Sequence, residues 1–400
     1  MNKEKNIQKL TVVGGAGHIG LPLSVVFARA GIDVICYDLD SKAISSARKG
    51  KMPFMEIDGD KELQLAIKSK KIQFTSKLEH RMKDSDFIVT IGTPVDEYMN
   101  PVKNVMMECI DQILPYVSDD KVIILRSTVF PGTTEWLQKY IKSKNSKAKI
   151  VFCLERVVQG NTIHEIKDLP QVIASSSKKS AKKAGRLFKL VTKKVIYCKP
   201  KEAEFAKLFS NAFRYIQFAI ANQFYMLAKD DGQDFNKIHE VMVEGYPRAG
   251  SLPSPGFAAG PCLFKDTMQL VAFAQNNFGL GFHAMLVNEG IVLHIVNQLK
   301  NEFDLEKMKV GLLGMAFKAN IDDTRSSLSY KIKNALLQNC KEILTTDPYV
   351  RTDSELLPLN KVIKDSDILI LCVPHDKYKL IKIKNKKIID IWNYLHKENV

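Results

Sequence analysis

The stretch KLTVVGGAGHIGLPLSVVFARAG, residues 9–31, decides how this chain is read. A short β-branched run enters a cluster of glycines and leaves it as an apolar segment of helix length, the signature of strand, tight turn and helix. Within it Gly15, Gly17 and Gly20 form a GxGxxG pattern. The first glycine makes the turn, the second lets the backbone approach a pyrophosphate, and the third allows the helix to pack closely on the strand. The helix amino terminus then faces the phosphates. Glycine turns are common, so the pattern alone is weak. Its weight comes from the next strand, DVICYD, which closes on Asp38, eighteen residues past Gly20. A carboxylate there accepts from ribose hydroxyls and repels a 2′-phosphate, so the cofactor expected is NAD and not NADP.

Around this stretch, KLTVVGG (9–15), DVICYD (33–38), DFIVTIG (86–92), KVIILRST (121–128) and KIVFCLE (149–155) read as strands separated by helix-length segments, with KKVIYC (193–198) as an edge strand. That alternation belongs to a parallel sheet covered on both faces. Ligands bind beyond the carboxyl ends of such strands, which places the hydroxyls of Thr93 and of Ser127-Thr128 on the cofactor crevice, although each alone could be an ordinary strand-end cap. From Glu202 the period becomes helical. Phe205, Leu208, Phe209, Ala212, Phe213, Ile216, Ala219, Ile220 and Leu227 make a helix apolar almost all round, readable as a buried spine. MKVGLLGMAF (308–317), SDILILCV (366–373) and KKIIDIW (386–392) then restore strand–helix alternation. The expected fold is α/β: two Rossmann-like, doubly wound parallel-sheet domains (1–199 and 304–400) joined by a helical central domain (200–303).

Composition narrows the class. The 400 residues are 45% hydrophobic, enough for packed cores. MNKEKNIQKL lacks the apolar core of a secretory signal, and no uninterrupted apolar run approaches the roughly 20 residues that span a bilayer. Seven cysteines stand singly, without CxxC pairs, as expected of reduced thiols in the cytoplasm. Eight histidines show no metal spacing, so no metal is expected. The formal charge of +15 invites a nucleic-acid reading. The lysines are dispersed, however, and the clusters Lys68–Lys71 and Lys178–Lys183 look like solvated faces. The same charge suits a nucleotide diphosphate.

The chemistry concentrates in the middle. Lys207, Asn211 and Arg214, at i, i+4 and i+7, share one helix face. A loop rich in proline, glycine and alanine ends at Cys262, after which LFKDTMQLVAFAQ reads as a helix carrying Asp266 one turn on. A thiol at a helix amino terminus has a stabilised thiolate, and a carboxylate and a lysine beside it suit a nucleophile with a proton relay. A solvent-facing stripe and an inert cysteine are the plain alternatives.

Taken together, VVGGAGHIGLPL, RSTVFPGTTE, LERVVQG, AEFAKLFSNAFRYIQFAIANQ, GPCLFKD and GMAFKANIDDTRSS resemble, in order and spacing from Val12 to about Asp390, the UDP-glucose/GDP-mannose dehydrogenase family, and more closely its UDP-N-acetylhexosamine dehydrogenase branch. The resemblance implies a four-electron oxidation of a sugar C6 alcohol with two NAD reduced per substrate. Cys262 matches the nucleophile that carries a thiohemiacetal and then a thioester. Lys207 matches the lysine that stabilises the oxyanion, Asp266 the carboxylate that organises water, and Glu155 a glutamate of aldehyde handling and thioester hydrolysis. Asn211 shares the catalytic helix face. His18, Ile19, Asp38, Thr93 and Thr128 would meet NAD, with Arg325 on its pyrophosphate. Arg156, Val157, Lys207, Asn211 and Arg214 would surround the sugar and diphosphate, and Tyr246, Arg248 and Lys318 would complete the nucleotide pocket. The resemblance also implies a homodimer or higher homo-oligomer built through the central helices, supplying a surface-polysaccharide precursor.

Three departures bear on the sugar. Ala258 and Ala259 stand where many relatives have glycine, Leu154 where proline is common, and Tyr246 where an N-acetylmannosamine-oxidising group tends to have histidine. UDP-glucose therefore stays open as substrate. Outside this chemistry, the rivals are a two-electron hydroxyacid or 6-phosphogluconate-type dehydrogenase, which needs neither the cysteine nor a second Rossmann domain, and a basic nucleic-acid-binding protein.

Overall fold

A computed structural model describes residues 9–383 and 386–395; the N-terminal octet read above for a signal lies outside them. The chain forms two compact units, one up to Phe209 and one from Ser210.

The first unit is built on eight strands: β1 (Lys9–Val13), β2 (Asp33–Tyr37), β3 (Ile72–Thr75), β4 (Asp86–Val89), β5 (Val122–Leu125), β6 (Lys149–Leu154), β7 (Gln171–Ala174) and β8 (Val195–Cys198). Their order is β3-β2-β1-β4-β5-β6-β7-β8, whose first six positions are the 3-2-1-4-5-6 order of a dinucleotide-binding sheet. All pairs are parallel except β6 with β7, a departure from the all-parallel sheet expected. The strand period of two sorts side chains onto two cores. Leu10, Val12, Cys36, Ile88, Ile124 and Val151 pack on one face. Val13, Tyr37, Val89, Leu125, Phe152 and Leu154 pack on the other. Burial on both faces is why these strands read as continuous apolar runs. β8 lies at the edge, as expected of KKVIYC, and its residues are half-exposed.

The second unit carries β9 (Lys309–Leu313), β10 (Glu342–Thr346), β11 (Ile368–Leu371) and β12 (Lys387–Ile389), all parallel in the order β10-β9-β11-β12. Again one residue faces each way: Leu312 and Ile370 enter one core, Leu313 and Leu371 another. The helix Gly279–Glu302 is long and apolar enough to cross a membrane by length and composition alone. Its Ile291, Val292, Ile295, Val296 and Leu299 are buried in the core of this unit, which accounts for that composition.

The spine helix is one unbroken element, Pro200–Asp230. It is not buried all round, as its sequence suggested. Ala212, Tyr215, Ala219 and Tyr225 are buried, while Phe213, Ile220, Phe224 and Leu227 are exposed by 62, 42, 40 and 59%. Spaced at 7, 4 and 3 residues, these four form one apolar stripe facing outward. Lys183, inside a cluster read as a solvated face, is instead tied to Asp86 at 2.6 Å and to the Asp120 carbonyl at 2.8 Å.

Candidate active site

In the first unit the glycine turn is shaped by three different constraints. Gly14, which the GxGxxG pattern leaves out, has φ +75°, and its carbonyl accepts from Gly17 N–H. That left-handed backbone costs a Cβ-bearing residue. A Cβ on Gly15 would lie 2.7 Å from Cys36 Sγ, and one on Gly20 would land on the Gly14 carbonyl oxygen. These two are glycines because protein surrounds them. Gly17 is different: the nearest atom to its Cβ would be 3.4 Å away, so packing does not require its bareness. Space left at the amino terminus of the helix Gly20–Arg29 is what a pyrophosphate needs, and the turn therefore fits NAD.

Asp38 Oδ2 accepts from Ala16 N–H at 2.9 Å and Oδ1 from Asp40 N–H at 3.0 Å, so the carboxylate braces the turn and stays partly exposed. His18 stacks on Phe54 with ring centroids 4.2 Å apart, beside the partly exposed Ile19. Thr93 and Thr128 lie in loops a few residues past β4 and β5, not at the strand ends, and Thr93 Oγ1 donates to the Thr128 carbonyl at 2.7 Å. Ser127 Oγ likewise donates to the Ile91 carbonyl at 2.6 Å, so two of the three hydroxyls expected on the crevice are spent in joining the two loops.

At the end of β6, Glu155 is turned inward. Its Oε1 accepts from the backbone N–H groups of Arg156 (2.6 Å) and Val157 (2.8 Å), and its Oε2 lies 2.6 Å from the fully buried Arg126 guanidinium. Arg156 is exposed, with Nη2 donating to the Pro170 carbonyl. Sequence reasoning missed Arg126 altogether.

The second unit holds the thiol. Cys262 is the exposed N-cap of the helix Leu263–Phe273, its carbonyl accepting from Asp266 N–H at 2.9 Å. Asp266 is wholly buried; Asn211 Nδ2 donates to its Oδ2 at 2.6 Å, and Lys265 Nζ lies 3.8 Å from Oδ1. The structure thus ties the spine-helix asparagine to the carboxylate one turn beyond the thiol. Lys207, half-buried, stands one turn before Asn211 on that helix, and Arg214 is exposed one turn after it.

Two contacts fix the cysteine loop. Asn222 exchanges hydrogen bonds with Gly256, N–H to Oδ1 at 2.8 Å and Nδ2 to carbonyl at 3.0 Å. Gly260, at φ +103°, donates to the Ser326 carbonyl at 3.2 Å, and a Cβ there would meet the Phe317 ring at 2.6 Å. Arg325 beside this contact is clamped by Asp323, with Nε 3.0 Å from both oxygens and Nη2 at 2.6 Å from Oδ2. The hydrogen bonds to Asp323 raise its pKa first and burial opposes them; the Asp323 charge and Cys262 add to the rise. Lys318 is half-buried on the same loop. Tyr246 and Arg248 are both exposed, the guanidinium 5.9 Å from the ring centre.

The second unit repeats the strand-end acid of the first with another outcome. Asp347, just past β10, accepts from the N–H groups of Met315 (2.7 Å), Ala316 (3.0 Å), Tyr349 (2.8 Å) and Val350 (3.0 Å), and lies 3.0 Å from His375 Nε2. On the far side of the ring, Asn320 N lies 2.9 Å from His375 Nδ1. So saturated a carboxylate has no acceptor left for a ribose. Only the first unit keeps its acid available for a dinucleotide.

A glycine turn open at Gly17 and a partly exposed Asp38 fit a dinucleotide-dependent oxidoreductase. The comparisons with known proteins agree. The NAD binding domain of the UDP-glucose/GDP-mannose dehydrogenase family matches residues 8–192, its central domain 201–290 and its UDP binding domain 311–397. UDP-N-acetyl-D-mannosamine dehydrogenase of Methanocaldococcus jannaschii is 31% identical over 99% of this chain and 95% of its own. The structure of a UDP-D-ManNAc dehydrogenase from Pyrococcus horikoshii superposes with a TM-score of 0.89 at 28% identity, covering 98 and 97% of the two chains. That of UDP-N-acetyl-mannosamine dehydrogenase from Staphylococcus aureus gives 0.87 at 25% identity, covering 98 and 97%. The chain belongs to the UDP-glucose/GDP-mannose dehydrogenase family. It is an NAD-dependent nucleotide-sugar dehydrogenase with a UDP-binding domain.

Proposed function

We propose that the chain oxidises the C6 alcohol of a UDP-N-acetylhexosamine, with UDP-N-acetylmannosamine the first candidate, to the uronic acid through a covalent cysteine intermediate. The glycine turn and Asp38 would hold NAD, which when bound would supply the hydride acceptor for each of two oxidations. The first converts alcohol to aldehyde. The Cys262 thiolate adds to the aldehyde carbon, giving a thiohemiacetal whose loss of a second hydride leaves a thioester. Water then cleaves the C–S bond, releasing the acid and returning the thiol. The positive end of the helix Leu263–Phe273 favours the thiolate. Asp266 orients the water, held for that task by Asn211, and Lys207 stabilises the developing oxyanion. Glu155, Arg156, Val157 and Arg214 serve the sugar and diphosphate side, and Tyr246, Arg248 and Lys318 the nucleotide.

The observation that carries this reading is Cys262 as an exposed N-cap with the buried Asp266–Asn211 pair one turn behind it. A two-electron hydroxyacid dehydrogenase has no use for that arrangement. The N-acetylhexosamine preference rests on the names of the relatives. Incubating the protein with UDP-N-acetylmannosamine, UDP-N-acetylglucosamine, UDP-glucose and GDP-mannose while following NADH tests it. Turnover confined to UDP-glucose would overturn the choice of sugar and leave the chemistry standing.

We further propose a homodimer formed over the outward stripe Phe213–Leu227 of the spine helix, together with Leu286 and Leu293 of the helix Gly279–Glu302, which are exposed by 51 and 52%. Apolar surface on this scale marks an interface. The division 1–199, 200–303 and 304–400 remains the proposed domain plan. Seven cysteines, none of them in a disulfide among the described residues, support a cytoplasmic location, where the product would serve as a surface-polysaccharide precursor.

A further inference from the structure

Arg126 is the largest fully buried side chain among the described residues. It stands directly after β5, beneath the turn that ends β6. Its Nη2 lies 2.6 Å from Glu155 Oε2, while Nη1 donates to Gln171 Oε1 at 2.6 Å and to Cys153 Sγ at 2.9 Å. The guanidinium rests over the Phe188 ring at 5.2 Å. Gln171 is locked in turn, since its amide donates to the carbonyls of Ile166 and Leu169, both at 3.2 Å. The titratable groups around this cation are therefore Glu155 and Cys153, with Arg156 further out. Burial pushes the Cys153 thiol up to about 11, so at neutral pH it carries no charge. Burial alone would lower Arg126, but Glu155 and Cys153 beside it outweigh that and hold it above its ordinary value. One buried cation thus faces one anion, Glu155.

Both carboxylate oxygens of Glu155 are committed. Oε1 takes two backbone N–H groups, and Oε2 is buried in the ion pair with Arg126. A group so placed is poorly set up to exchange protons with water or substrate. Its geometry instead fixes the backbone at Arg156 and Val157, two residues proposed to meet the sugar and diphosphate.

We infer that Arg126 is a positioning residue that holds Glu155 inward, so that the buried pair shapes the 155–157 turn and Glu155 acts by fixing that turn, not by transferring a proton. This rests on the proposed oxidation of a UDP-sugar at the site. Removing one partner of a buried ion pair strands the other, whereas removing both together does not. The two possible roles of Glu155 therefore predict opposite behaviour in a double variant.

The experiment compares the wild type with R126M, R126K, E155Q and R126M/E155Q, measuring kcat and KM for the UDP-sugar against pH below each variant's unfolding temperature. R126M and E155Q are each expected to lower kcat/KM by about ten-fold or more, the size of a lost charge-assisted contact, largely through KM. The double variant recovers most of the loss suffered by E155Q, and R126K loses less than R126M. In R126M the stranded carboxylate protonates more readily, so activity falls off at a higher pH than in the wild type; the double variant lacks that limb. If R126M does not fold, E155Q against the double variant carries the test. R126M with wild-type kinetics and pH profile would overturn the inference. So would a double variant no better than E155Q with thioester persisting on Cys262 by intact mass, since Glu155 would then perform the chemistry itself. A wild type that oxidises no UDP-sugar would instead remove the functional reading on which the inference rests.

Discussion

Gly17 and Gly20 are both glycines of one motif, yet the structure assigns them different work, and replacing each by alanine separates the two. At Gly20 a Cβ collides with the Gly14 carbonyl oxygen, which is backbone and cannot move aside without opening the turn. Overpacking of this kind costs about 1–3 kcal/mol or more of stability, so Gly20→Ala should unfold well below the wild type with or without ligand. At Gly17 the added methyl has its nearest neighbour 3.4 Å away, and the residue is not at positive φ. Gly17→Ala should therefore stay within about 0.5 kcal/mol of the wild type, the usual range for a substitution that breaks no contact. Its cost should fall on the cofactor. A methyl in the volume of the pyrophosphate forfeits about 1–3 kcal/mol of binding, or about 5- to 150-fold in Kd. Urea unfolding gives the first quantity and NADH titration by fluorescence the second. A folded Gly17→Ala protein that binds NADH as tightly as the wild type would refute the placement of the pyrophosphate over this turn.

Further outcomes follow from the same geometry. Asp266→Asn keeps the shape of a fully buried side chain and removes its charge, so kcat should fall by about 100- to 10,000-fold with thioester accumulating on Cys262 in intact mass spectra. Asp347 is fully buried; burial alone would raise its pKa, but the hydrogen bond and charge of His375 and the backbone N–H donors outweigh it and hold the group at about 2 against an ordinary 3.8. A pKa lower in the folded state stabilises above pH 4, and that contribution, about 2 kcal/mol, is lost as pH falls from 4 to 2. Asp347→Asn should forfeit it at pH 7 and flatten the acid limb of a stability-versus-pH series. Phe213→Asp with Phe224→Asp should yield a monomer by light scattering where the wild type is a dimer; a wild-type monomer would remove the dimer proposal.

Much of this was legible in the sequence because burial leaves a pattern. β1, β2 and β4 to β6 read as strands since both faces are covered and most of their residues are apolar. β3 (IQFT), β7 (QVIA) and β10 (EILTT) escaped because four or five residues, partly polar, carry no period that distinguishes them from a loop. The reversed direction of β7 is set by a connection that composition does not reveal. Cys262 at the start of its helix was readable from the proline- and glycine-rich loop before it. That Asp266 would be buried on Asn211 was not, since the two are 55 positions apart.

The spine helix misled for a physical reason. Apolarity all round means burial, but sequence does not say whether the cover comes from the same chain. Arg126 was missed because a charged residue after an apolar strand usually turns to solvent. A signal was available: β5 and β6 run parallel with Leu125 opposite Phe152, which brings Arg126 level with Cys153 and close to Glu155.

The central claim, a four-electron oxidation through Cys262, is tested most directly by counting NADH formed per UDP-N-acetylhexosamine consumed, for the wild type and for Cys262→Ser. The account predicts two NADH per sugar from the wild type and loss or stalling of turnover in the variant. One NADH per sugar, or a fully active Cys262→Ser, would contradict it.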